Sequence, residues 1–325
     1  MKSFILLLLI SSCTQFSNIR KPSSLDSSHV NTVAQLREMI ARANNGDTIK
    51  IDQYMAFNMT DETTIVIDKS ITIMGYPDPG EDKRAHFFSF GKPLPMFKIT
   101  APNVTINGIK FEGTETDSKK SEIIELNRQG IKGVYKFPVI RGLDINASNV
   151  IIKNCEFKGF SHAAIFISDA KNILIEENYI HHNQRWGLGY GVTLNGASTA
   201  KITRNTFNYN RHSIAGTGHS GQSYEASYNW FGPNHNDTPL DMHGGKDRKD
   251  GTQIAGKKVD IHHNRILTKN VKAFIHRGIP EDSVLFYKNV ISTKTIDATI
   301  GYYNGVTKST LPAEKFKYFQ NAVDD

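Results

Sequence analysis

Residues VTINGIKF (104–111), VIIKNCEF (150–157), ILIEENYI (173–180), AKITRNTF (200–207), YEASYNWF (224–231), VDIHHNRI (259–266) and VLFYKNVI (284–291) repeat one phrase. Aligned on the closing residue (Phe111, Phe157, Ile180, Phe207, Phe231, Ile266, Ile291), they form an apolar column five residues earlier: Ile106, Ile152, Ile175, Ile202, Ala226, Ile261 and Phe286. A third column reads Ile109, Cys155, Asn178, Asn205, Asn229, Asn264, Asn289. Strand-like alternation in a unit too small to bury its own apolar face requires neighbouring units to supply the cover, so the coils stack into a solenoid with one shared core. Five successive asparagines at one register predict a ladder of side-chain amides along a turn.

Successive closing residues lie 46, 23, 27, 24, 35 and 25 positions apart. The shorter spacings suit one coil of three short strands, and the two long ones mark insertions. With these features the chain resembles the right-handed parallel β-helix proteins of the pectate-lyase-like superfamily across most of residues 33 to 305. The expected fold is therefore all-β, a single-stranded right-handed parallel β-helix running from about residue 48 to 305. Residues 33–51, VAQLREMIARANNGDTIKI, read as an amphipathic helix (Val33, Leu36, Met39, Ile40, Ala43) stopped at Asn45-Gly46 and followed by a first strand. Such a helix is similar to the N-terminal caps that close the open end of the core in this superfamily. No linker interrupts the repeats, so residues 33–325 read as one domain.

The start of the chain reads as a targeting segment. Lys2 precedes the apolar run Phe4 to Ile10, and Ser11-Ser12-Cys13 follows, so residues 1–12 are expected to be a signal peptide. Cys13 after small residues resembles a lipobox and is the expected lipidation site, with residues 13–32 a polar tether. An ordinary cleaved signal is the alternative. The run is far shorter than the roughly 20 apolar residues of a membrane-spanning helix, leaving a lipid anchor as the expected membrane contact. The other cysteine, Cys155, falls on an inward column and reads as a small buried hydrophobe.

The formal charge is +7, and losing residues 1–12, whose one charged side chain is Lys2, leaves about +6. On an exported solenoid this favours a polyanionic sugar chain through steering and carboxylate pairing. Nucleic acid would use the same charge, yet no DNA- or RNA-binding signature is present, and nucleic acid is not an expected partner.

Ionisable residues concentrate in coils four to six. Arg211, His212, Glu225, Asp241 and His243 are the candidate catalytic set, and Tyr190, Tyr224, Trp230, Lys246, Asp247, Arg248, His276 and Arg277 the candidate substrate-binding set. Taken singly, Arg211-His212 also reads as an exposed strand edge, and GGKDRKDG (244–251) as a solvated turn. The set weighs more, because Asp241 and His243 at i, i+2 on a strand share a face.

The expected function is that of an exported, monomeric carbohydrate-active enzyme on an acidic polysaccharide, foremost a polyuronate lyase. Lyase chemistry needs a cation for the uronate carboxylate (Arg211 or Arg248), a base for the α-proton (His212 or His243) and an acid for the leaving oxygen (Tyr190 or Tyr224). Asp241 would orient His243 or, with Glu225, hold Ca²⁺. A glycoside hydrolase would instead use two carboxylates, Glu225 and Asp241, with Asp247 in reserve. The third reading is a non-catalytic, surface-tethered carbohydrate-binding solenoid. The Arg-x-Pro-x-x-Arg string of pectate lyases is absent, and Asp241-Met-His243 is only loosely similar to the Asp-Pro-His of alginate C5-epimerases.

Overall fold

Each coil is built as strand, corner, strand, corner, strand, and the corners dictate the stacking. The computed structural model describes residues 30–75, 84–91, 95–269, 271–292, 299–302, 307 and 309–323. The expected signal segment, Cys13 and most of the tether lie outside the described residues. Three parallel sheets run the length of the molecule. The first has ten strands, from Thr48–Ile51 to Phe316–Phe319; the second has ten, from Ala56–Asn58 to Ala322–Val323. The third has nine, from Ile65–Ile67 to Ile300–Tyr302.

Both apolar columns read from the sequence are hydrogen-bonded neighbours in the predicted register. Ile106, Ile152, Ile175, Ile202, Ala226, Ile261 and Phe286 line the first sheet. Phe111, Phe157, Ile180, Phe207, Phe231, Ile266 and Ile291 line the second. Their side chains are buried, and several rings stack face to face along the axis, such as Phe57 on Phe87 at 4.4 Å and Phe111 on Phe157 at 5.0 Å. Two further coils precede the seven quoted, with Ile49 and Ile73 joining the first column and Phe87 the second. One more follows, where Tyr318 and Val323 extend the columns, so the solenoid runs beyond residue 305.

The asparagine ladder occupies the corner between the first and second sheets. The residue before each rung is left-handed (Glu177 φ 58°, Arg204 55°, Tyr228 56°, His263 54°, Lys288 52°), which turns the chain sharply. That turn leaves a backbone N–H pointing along the axis, and the next rung's amide oxygen accepts it. Asn205 N–H and Nδ2 both donate to Asn229 Oδ1, at 2.9 and 3.1 Å, and the pattern repeats through Asn264 and Asn289. A sixth rung, Asn321, takes the bonds from Asn289. A second, shorter ladder at the next corner joins Asn183 to Asn210 at 2.8 Å. Two pairs of adjacent histidines, His181-His182 and His262-His263, lie at these corners, where His182 stacks on Tyr209 and His263 on Tyr228.

The cap helix spans Val33–Arg42, started by a capping box between Thr32 and Gln35. Val33, Leu36, Ile40 and Ala43 seal the end of the core. The two long spacings are insertions that leave the coil. The first carries a helix, Lys120–Arg128, and is fastened by Arg185, fully enclosed and ion-paired with Glu115. The second carries the short helix Gly245–Arg248.

Candidate active site on the third sheet

The outward face of the third sheet collects one group of the charged residues of coils four to six. Strand Leu240–Met242 buries Leu240 and Met242 in the core, which by strand parity turns Asp241 outward. The preceding strands, Tyr190–Asn195 and His212–Gly216, place Tyr190 opposite His212. A Cβ on Gly191 would meet Ile180 and Phe207, so Gly191 and Val192 both face inward. That local irregularity leaves Tyr190 on the same outer face as Asp241.

Asp241 is the hub and is completely enclosed. Arg277 donates through Nε to Oδ1 at 2.8 Å and through NH2 to Oδ2 at 2.6 Å. His243 Nε2 lies 3.1 Å and His212 Nε2 3.5 Å from Oδ2. Burial alone would raise this carboxyl, but His243, His212 and Arg277 hold it well below the ordinary carboxylate range. It is a fixed negative charge.

His212 is also enclosed, and its Nδ1–H donates to the Thr238 carbonyl. Burial, helped by neighbouring Arg211, lowers its pKa to about 4, which keeps the ring neutral near pH 7. Its ring stacks on Tyr190 at 5.6 Å. Arg211 reaches the Tyr190 hydroxyl at 3.4 Å, the Leu188 carbonyl at 3.2 Å and Asp237 at 3.4 Å. Burial raises the Tyr190 hydroxyl above its ordinary value while Arg211 pulls it back, so the phenol stays protonated. His243 is about a quarter exposed, and its Nδ1 lies 3.9 Å from Asp247. Further along the same face, Arg141 bridges both Asp144 oxygens at 3.1 Å and stacks on Phe166.

The structure therefore gathers Tyr190, Arg211, His212, Asp241, His243, Asp247 and Arg277, with Lys246 lining a cavity beside Arg277, and it separates the other candidates. Glu225 lies on the first sheet, between Lys201 and Asp260, and pairs with Lys201 at 3.1 Å. It cannot share an ion or a substrate bond with Asp241 on another sheet. The expected Ca²⁺ pair does not fit, since both Asp241 oxygens already take Arg277; among the described residues no His, Cys, Asp and Glu group is arranged to hold a metal.

Tyr224 is an inward core residue, in register with Ala200 and Val259. His276, in register with Met242, also points inward, and its Nδ1 binds the Gly278 carbonyl. Trp230 sits on the second sheet between Thr206 and Arg265. Arg248 is a clamp: it holds Asp250 at 2.7 Å and the carbonyls of Thr217 and Ile254. Asp237, one of the ionisable residues of the insertion but given no role in the expected sets, meets Arg211 and His212. Nothing in its loop sequence, NHNDTP, distinguishes it from a turn residue.

Residues 138–231 match a family model described as "Right handed beta helix region". No curated protein sequence matches the chain significantly. Among solved structures, the alginate lyase from Paenibacillus sp. str. FPU-7 superposes with a TM-score of 0.62 over 90% of this chain and 93% of that one, at 14% identity. The DFA-IIIase of Arthrobacter chlorophenolicus A6 gives 0.43 over 80% and 61%, at 12% identity. At such identities the likeness concerns the path of the chain. With its three parallel sheets in register, this protein is a right-handed parallel β-helix of the pectate-lyase-like fold.

Proposed function

We propose that this protein is a carbohydrate-active enzyme that cleaves an acidic polysaccharide by β-elimination, as a polyuronate lyase. The observation that carries this reading is the enclosed Asp241, neutralised by Arg277 and flanked by two histidines, with Arg211 and Tyr190 beside it. Asp241 fixes the His243 ring from its Nε2 side, leaving Nδ1 to take the proton from the sugar carbon that bears the carboxylate. Arg211 neutralises that carboxylate and stabilises charge developing on it. Electrons from the broken C–H bond form the new C=C bond as the glycosidic C–O bond breaks, and Tyr190 donates its proton to the leaving oxygen. Lyase chemistry is favoured over hydrolysis because the carboxylates expected for hydrolysis do not form an available pair: Glu225 lies on another sheet, and Asp241 is enclosed with both oxygens bonded to Arg277. The net positive charge and the signal-like start further support an exported protein, anchored through Cys13, that meets a polyanion outside the cytoplasm.

The test is incubation of the purified protein with a panel of polyuronates. A lyase releases products with an ultraviolet-absorbing unsaturated end, whereas new reducing ends without that absorbance mean hydrolysis, and no cleavage of any polyuronate removes the reading. For the anchor, mass spectrometry of the membrane fraction should find a diacylated peptide beginning at Cys13, and Cys13→Ser should release the protein.

A further inference from the structure

A cavity of about 480 Å³ opens beside the Asp241 cluster, between the insertion that carries helix Gly245–Arg248 and the coil that carries Arg277. The charged side chains lining it are Lys246, Lys249 and Arg277, joined by Thr252 and Gln253, and no carboxylate lines it. We infer that this cavity is a subsite for the carboxylate of the sugar unit adjoining the one that is cleaved, an inference resting on the polyuronate reading above.

Three features carry it. The volume lies within the range of small-molecule sites, and it suits one sugar unit. Its walls are built in advance: Arg248 ties the insertion to the Thr217 and Ile254 carbonyls, and a Cβ on Gly278 would strike the Gln253 carbonyl at 2.4 Å. A wall held this way need not be ordered when substrate arrives. Finally, Arg277 belongs to both places, since its Nε and NH2 grip Asp241 while the residue lines the cavity. Neighbouring coils lie about 4.8 Å apart, so the coil of Arg277 stands roughly one sugar unit from that of Asp241. A chain laid along the axis would thus present its next carboxylate to Lys246 and Lys249.

The experiment titrates four-unit oligouronates into the full-length protein and into Lys246→Gln/Lys249→Gln by calorimetry, with melting curves to confirm that both are folded. A sulfated oligosaccharide and a neutral oligosaccharide of equal length serve as comparisons. The double variant should bind the oligouronate about tenfold more weakly, through loss of two charge pairs. Cleavage should lose kcat/KM through KM, and salt should erase the difference. Unchanged affinity and KM in a variant that still cleaves polyuronate would overturn the subsite and leave the lyase reading standing. A wild-type protein that neither binds nor cleaves oligouronates overturns both, and tighter binding of the sulfated chain overturns the carboxylate assignment.

Discussion

Arg277 grips the enclosed carboxylate of Asp241 with two parallel hydrogen bonds, at 2.8 and 2.6 Å, from the next coil of the same sheet. A charge so deeply desolvated is tolerable only while its partner is present. Arg277→Gln should therefore destabilise the protein by about 3–5 kcal/mol, and adding Asp241→Asn should recover much of that loss. Denaturant midpoints for the two singles and the double form the cycle that checks it. Additive losses would show that the pair is not coupled.

Activity should separate the residues gathered on the third sheet from the one that is not. His243→Ala, Tyr190→Phe and Arg211→Gln should each lower the rate on a cleaved polyuronate by about 10²-fold or more, with the fold intact. Glu225→Gln, on the first sheet, should keep wild-type rates. Loss of activity in Glu225→Gln would relocate the site.

Acid should weaken the fold through histidines that are buried neutral. Burial lowers His235 and His276 to about 4, against about 6.5 in an unfolded chain. Between these values the unfolded state binds protons that the folded state refuses. Their contribution is complete above about pH 6.5 and is lost as pH falls toward 4, on the order of 3 kcal/mol for each. Urea midpoints measured from pH 7 to 4 should fall through this window, and a flat profile would contradict the burial of these rings.

The amide ladder makes a graded prediction. Asn205→Ala and Asn229→Ala should each cost on the order of 1–3 kcal/mol, because the N–H groups facing each rung lose their acceptor. Asn289 is also an internal rung, bonded onward to Asn321, and its substitution should cost as much. Asn321→Ala, at the partly exposed last rung, should cost less. Equal small losses at all four in thermal or urea unfolding would mean the amides add nothing.

By itself the sequence determined the columns, the ladder and the cap, because each depends on local order. Alternation sets which side chains of a strand point inward, and a repeat of one coil length stacks Ile106 on Ile152 and Asn205 on Asn229 without further information. The same logic placed Asp241 and His243 on one face. What alternation cannot say is which of three sheets a strand joins, and there the reading of the site divided. Glu225 and Asp241 are both charged and lie sixteen positions apart, yet the chain turns two corners between them and puts them on different sheets. Tyr224 and His276 carry functional groups that suit catalysis, but their register with Val259 and Met242 turns them into the core. The pairing of Arg277 with Asp241 was equally out of reach, because it depends on how a 35-residue spacing loops out and returns. Only the stacked coils decide that distance, since the contact is made between neighbouring strands that the chain reaches by a detour of its own length.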